Sequence, residues 1–161
     1  MNKVFIITGG NIGDKKKNLE TAEKMIEEQI GPIIQTSKIY ETEAWGIIDQ
    51  PSFYNQVLIV ATNFPAGKVL QKMLKIEEDM GRVRTIKNAA RNIDIDILFF
   101  NDDIVNEENL TIPHPQMINR RFVLMPLNEI APAKNHPVYN KSVRQLLAEC
   151  KDELKVNPLP A

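Results

Sequence analysis

Asn92-Ile-Asp-Ile-Asp-Ile-Leu-Phe-Phe100 is the stretch whose reading decides the fold. Apart from two aspartates it is apolar and rich in β-branched residues, which predicts a buried strand. Side chains alternate across a strand, so Asp94 and Asp96 share one face. Ile93, Ile95, Ile97 and Phe99 are expected on the other. Two neighbouring carboxylates in an apolar strand repel each other and resist burial. An oxygen-preferring divalent cation removes both difficulties, so the strand reads as a metal shelf.

Upstream of it, Val4–Thr8 reads as a strand that ends in Gly9-Gly10-Asn11. A helix is expected from about Asp14 to Gln29, with Leu19, Ala22, Ile26 and Ile30 on one stripe and Gly31-Pro32 as its stop. Ile33–Tyr40 and Phe53–Thr62 read as strands around a polar loop, Glu41–Ser52. Pro65 opens a second helix, in which Ala66, Val69, Leu70, Met73, Leu74 and Glu77 keep helical spacing before Gly81. Arg82–Asn92 is polar, basic and aperiodic, a second long loop.

The order is β-α-β-β-α-β, which predicts an α+β, ferredoxin-like core with an antiparallel sheet. After it, Ile104-Val105 and Leu110–Ile112 suggest a C-terminal hairpin. Short helices are expected over about Asn119–Ile130 and Ser142–Glu149. Residues 1–161 read as one domain, with no repeat or linker. Long polar loops in a compact domain often carry function.

The bulk numbers narrow the classes. The chain has 161 residues, 43% hydrophobic and 25% charged, which suits a globular domain with a real core. A net charge of −1 offers no general attraction to nucleic acid or to anionic membrane. No stretch approaches the length of a membrane span, and the N-terminus lacks a signal-peptide pattern. The single cysteine, Cys150, excludes an internal disulfide and suits a reducing, cytoplasmic setting; it reads as a small buried hydrophobe late in a helix.

Five arginines lie near the carboxylate strand in sequence: Arg82, Arg84, Arg91, Arg120 and Arg121. Guanidinium forks suit phosphate oxygens, and acidic metal ligands beside arginines suit a nucleotide polyphosphate with Mg²⁺. No P-loop is present, and Gly9-Gly10-Asn11-Ile12-Gly13 does not match a dinucleotide fingerprint. With one cysteine and two histidines, zinc spacing is absent. His114, fixed between two prolines, can reach a phosphate or simply pack. His136 reads as a surface-loop residue. Phe53 and Asn55 share a face, and an aromatic beside a carboxamide suits a flat heteroaromatic ring.

Taken in order, these motifs resemble the 6-hydroxymethyl-7,8-dihydropterin pyrophosphokinase family. The matching pieces are Gly9-Gly10-Asn11; Thr42 with Gly46, Asp49-Gln50-Pro51 and Phe53-Tyr54-Asn55; Glu77 with Gly81-Arg82-Val83-Arg84; Arg91 with Asp94-Ile-Asp96; Leu110-Thr111-Ile112-Pro113-His114; and Asn119-Arg120 with Phe122. The resemblance implies transfer of pyrophosphate from ATP to the pterin hydroxymethyl group, with release of AMP, in folate biosynthesis. It implies that Asp94 and Asp96 hold two Mg²⁺ ions and that Arg82 and Arg91 neutralise the transferring group. It implies a pterin site of Thr42, Trp45, Phe53, Asn55 and Phe122, and an ATP side of Glu77, Arg84, Ile97, Thr111, His114 and Arg120. A monomer is expected.

The chain departs from the family pattern in three places. The usual aromatic-Gly-Pro before the arginine is replaced in Lys87-Asn-Ala-Ala-Arg91, one residue shorter than in some members. Pro115 and Asn109 stand where tyrosine and arginine are frequent. Two other readings stay open on the residues alone. One is a ferredoxin-like module that binds a metabolite without chemistry. The other is a sheet-surface RNA binder, which the charge and the lack of an RNP-type aromatic motif disfavour.

Overall fold

The computed structural model describes residues 1–43, 51–81 and 92–160. The expected β-α-β-β-α-β core is present, with its second strand broken into two short pieces: β1 (Asn2–Gly10), α1 (Lys15–Gln29), the pieces β2 (Ile33–Thr36) and β3 (Tyr40–Thr42), β4 (Phe53–Thr62), α2 (Ala66–Asp79) and β5 (Asp94–Phe100). A hairpin of β6 (Val105–Glu107) and β7 (Leu110–Ile112) follows, then a 3₁₀ turn at Met117–Asn119, α3 (Arg121–Ile130), α4 (Val143–Glu149) and β8 (Val156–Pro158). The main sheet runs β5-β1-β4-β3-β8, with β2 also on β4, and every pairing is antiparallel. This is the ferredoxin-like order, with the last core strand beside the first. No helix among the described residues is long and apolar enough to cross a membrane.

Helices cover both faces. Leu19, Ala22 and Ile26 of α1 and Val69, Met73 and Ile76 of α2 are buried with Val4, Ile6, Leu58, Val60, Ile95 and Ile97. On the opposite face, Val123 and Leu127 of α3 and Val143 of α4 pack with Phe5, Ile7, Val57, Leu98 and Phe99. Asp14 caps α1 by accepting from Lys17 N at 3.2 Å. Ser142 and Gln145 form a reciprocal capping box on α4. α1 ends where Gly31 passes so close to the Ala61 carbonyl that a Cβ would overlap it, which explains the stop at Gly31-Pro32.

Four expectations need correction. Ile33–Tyr40 is not one strand. Between Thr36↔Leu58 and Tyr40↔Asn55 the pairing slips by a residue, because the Ser37 side chain enters the ladder. Its Oγ accepts from Val57 N at 3.0 Å, and its carbonyl accepts from Gln56 Nε2 at 2.9 Å. Glu129 of α3 holds the same bend, accepting from Lys38 N and, at 2.8 Å, from the Tyr40 hydroxyl. Burial and that carboxylate push the Tyr40 hydroxyl up to about 12, so it remains a donor.

Phe99 does not share a face with Ile95 and Ile97. The register of β1 against β5 shifts between Phe5 and Ile6, and the extra residue reverses the alternation. Phe99 therefore packs edge-on to Phe5 at 5.6 Å, while Phe100 joins the α1/α2 core. His136 is not a surface residue. It is buried against Phe99, and its Nδ1 accepts from Val138 N at 3.2 Å and Tyr139 N at 3.3 Å. Cys150, expected buried, is half-exposed at the C-cap of α4. The strand β8 was not anticipated.

Candidate active site

The α3/α4 layer leaves part of its face uncovered, where β1 ends and where β4 and β5 begin. A cleft opens there, lined by Ile7, Thr8, Gly9, Thr42, Glu43, Phe53, Asn55, Asp94, Asp96, Leu98, His114, Arg120, Phe122 and Val123. The register explains the gathering: Gly9 lies opposite Asn55 on one side and Asp94 on the other. Gly9 has to be glycine for a local reason, since a Cβ there would occupy the position of the Asn55 amide.

One end of the cleft suits a flat polar ring. Phe53 on β4 and Phe122 on α3 both line it. Asn55, on the same face of β4 as Phe53, is buried, and its Nδ2 donates to the Thr8 carbonyl at 3.4 Å. That contact orients the amide. The Thr42 hydroxyl is buried and has no hydrogen-bond partner among the described residues. A buried orphan hydroxyl costs roughly 1–3 kcal/mol, which a polar ligand in the cleft would offset.

The other end is charged. Asp94 and Asp96 line the cleft together, as strand alternation requires. His114 faces them from the turn after β7, anchored by its own N–H to the Leu98 carbonyl at 3.0 Å. Its Nδ1 accepts from Gln116 N at 3.1 Å, which assigns the ring proton to Nε2. Burial, and then the Arg120 charge, lower the His114 pKa to about 4 against an opposing pull from Asp94. At neutral pH the imidazole is therefore an uncharged donor, and Arg120 supplies the cation. The Arg120 guanidinium sits 5.7 Å from the Phe122 ring centroid, so the two ends of the cleft support each other.

Three residues expected on the ATP side, Glu77, Ile97 and Thr111, are not among the residues that line this cleft. Glu77 is buried behind β5, where its carboxylate accepts from Ile95 N at 2.7 Å. It holds the backbone between the two aspartates rather than lining the cleft. The Ile97 side chain is in the α1/α2 core, so only its backbone can meet a ligand. Thr111 is exposed on β7, outside the cleft lining. Trp45, Arg82, Arg84 and Arg91 lie outside the described residues. Glu43, a lining residue, was missed; its only sequence signal is adjacency to Thr42. Among the described residues no group of three or more His, Cys, Asp or Glu forms a metal cage. An ion on the Asp94/Asp96 pair would complete its shell with ligand oxygens and water, as Mg²⁺ does beside phosphates.

Fold and cleft together define a ferredoxin-like domain whose cleft has one end lined by Phe53, Asn55 and Phe122 and an acidic, arginine-bearing other end. A sequence model of the 7,8-dihydro-6-hydroxymethylpterin-pyrophosphokinase family matches residues 5–132, and the chain belongs to that family. It is 36% identical over 149 residues to the 2-amino-4-hydroxy-6-hydroxymethyldihydropteridine pyrophosphokinase of Aquifex aeolicus, covering 92% of each chain. It is 40% identical over 145 residues to a folic acid synthesis protein of Dictyostelium discoideum, covering 90% of this chain and 22% of that protein. The chain thus spans about a fifth of the length of that relative. A crystal structure of Plasmodium falciparum HPPK-DHPS with pteroate shares the fold, with a TM-score of 0.78 at 22% identity, over 92% of this chain and 42% of that one.

Proposed function

We propose that this chain transfers pyrophosphate from ATP to the hydroxymethyl group of 6-hydroxymethyl-7,8-dihydropterin, releasing AMP, as a step of folate synthesis. The observation that carries this reading is the joining of two sub-sites in one cleft: Phe53, Asn55, Thr42 and Phe122 at one end, Asp94, Asp96, His114 and Arg120 at the other. The pterin stacks between Phe53 and Phe122. Its polar edge meets Asn55, Thr42 and the backbone near Trp45.

The pterin hydroxyl attacks the β-phosphorus of ATP. A new P–O bond forms, the bridging bond to the α-phosphate breaks, AMP leaves, and the hydroxyl proton is released. Alignment and charge neutralisation are what such a step requires. Arg82 and Arg91 neutralise the transferring group. His114 donates through Nε2–H and Arg120 through its guanidinium to phosphate oxygens. Arg84, Thr111 and the Ile97 backbone complete the ATP side, and Glu77 steadies β5 from behind. Asp94 and Asp96 are the residues that would hold Mg²⁺, as two ions, since both offer hard oxygen ligands on one face. Bound with ATP, the metal supplies charge neutralisation and a template for the phosphates. The unit is one pyrophosphokinase domain over residues 1–161 that works as a cytoplasmic monomer, with no nucleic acid or membrane partner.

Calorimetric titration of single variants tests the two-ended cleft. Asn55→Ala is expected to weaken the pterin by about tenfold or more while sparing Mg-ATP. Asp94→Ala is expected to do the reverse. Equal loss of both ligands in each variant would overturn the assignment.

A further inference from the structure

α1 opens on Lys15-Lys16-Lys17, with no acidic residue in its first turn. The positive end of a helix disfavours cations, so Lys15 is held there by something else. Its Nζ donates to the Ser52 carbonyl at 3.1 Å and to Ser52 Oγ at 3.2 Å. It also lies 4.2 Å from the Tyr54 ring centroid. Ser52 Oγ donates in turn to Glu41 Oε2 at 2.6 Å. Buried Asn11, just before α1, donates to the Pro51 carbonyl at 3.1 Å.

The partners of Lys15 alternate with cleft residues. Ser52 and Tyr54 flank Phe53, Tyr54 precedes Asn55, and Glu41 precedes Thr42. Register pairs Thr42 with Phe53 and Glu41 with Tyr54. Phe53, Asn55 and Thr42 line the cleft, whereas Tyr54 packs toward the α1/α2 core. Lys15 therefore grips the back of the two strand segments whose fronts line the ring-binding end. The hydrogen-bond chain from the Lys15 ammonium to Ser52 and from the Ser52 hydroxyl to the Glu41 carboxylate ties both segments to the start of α1.

We propose that Lys15 is a positioning residue for the pterin: it fixes Phe53, Asn55 and Thr42 from behind, without touching the ligand. This rests on the proposed function. Preorganising a binding surface is read in affinity for the ligand it meets and not in the chemistry at the other end.

The test compares wild-type protein with Lys15→Met and Lys15→Arg by steady-state kinetics, pterin calorimetry and thermal melting. Lys15→Met is expected to raise the pterin KM and Kd about tenfold, with kcat and the ATP KM within about twofold of wild type. Lys15→Arg, which keeps the charge and the donors, is expected to restore most of the pterin affinity. Unchanged pterin affinity in Lys15→Met overturns the inference alone. So does a loss shared equally by pterin and ATP alongside a lowered melting temperature. Wild-type protein that binds no pterin overturns the inference and the proposed function together.

Discussion

The two faces of one sheet behave differently, and β5 shows it residue by residue. Ile95 and Ile97 enter a closed apolar core under α1 and α2. Asp94 and Asp96, one position away, open into the cleft. On the first face α1 and α2 bury Val4, Ile6, Leu58, Val60, Ile95 and Ile97. On the second, α3 and α4 cover only the half that holds Phe5, Val57 and Phe99, and the uncovered half collects Thr42, Asn55, Asp94, Asp96, His114 and Arg120. Apolar burial is thus concentrated on one face and at one end of the other, while polar side chains gather in what is left. Glu77 spans the two roles: buried in α2, it binds the backbone of the carboxylate strand.

Substitutions on each face should separate activity from stability. Asp96→Ala should have the largest effect, lowering Mg²⁺-dependent turnover by about 10³ or more with an unchanged melting temperature. A variant that keeps wild-type turnover would remove the metal shelf from the account. Met73→Ala, on the closed face, should cost about 2–5 kcal/mol in urea unfolding, with kcat per folded molecule preserved. Phe122→Ala should weaken the pterin by about 1–3 kcal/mol through lost stacking and burial. Calorimetry showing no change would remove Phe122 from the ring site.

The smallest expected effect sharpens the contrast within the second face. His136 is buried and neutral, its Nδ1 occupied by two backbone N–H groups, and burial followed by the Lys134 charge holds its pKa below the usual histidine value. The unfolded chain then binds more protons below about pH 6.5, so stability present above that pH declines as pH falls through the folded pKa. Urea titrations across that window should show the decline, and His136→Asn should flatten it.

Much of this was legible because strands alternate. Asp94-Ile-Asp96 revealed its face, and Phe53-Tyr54-Asn55 revealed another, from period alone. The helices followed from their apolar stripes. What escaped was set by contacts between distant segments. The break at Ser37 needs Val57 and Glu129 to be in place. The reversal at Phe99 needs one extra residue against β1. β8 has a single buried apolar residue, Val156, and exists because β3 offers it an edge. His136 looked solvent-exposed because its partners are backbone groups two and three residues on, packed beneath Phe99. Family motifs, not periodicity, placed Glu77, Ile97 and Thr111 on the ATP side. The fold explains why their side chains sit behind or beside the cleft.

The most direct test of the central claim is nucleotide analysis after incubating the protein with Mg-ATP, with and without 6-hydroxymethyl-7,8-dihydropterin. AMP is expected only when the pterin is present, with no ADP, because attack falls on the β-phosphorus. ADP as the product, or no AMP from folded protein that binds the pterin, would contradict that claim.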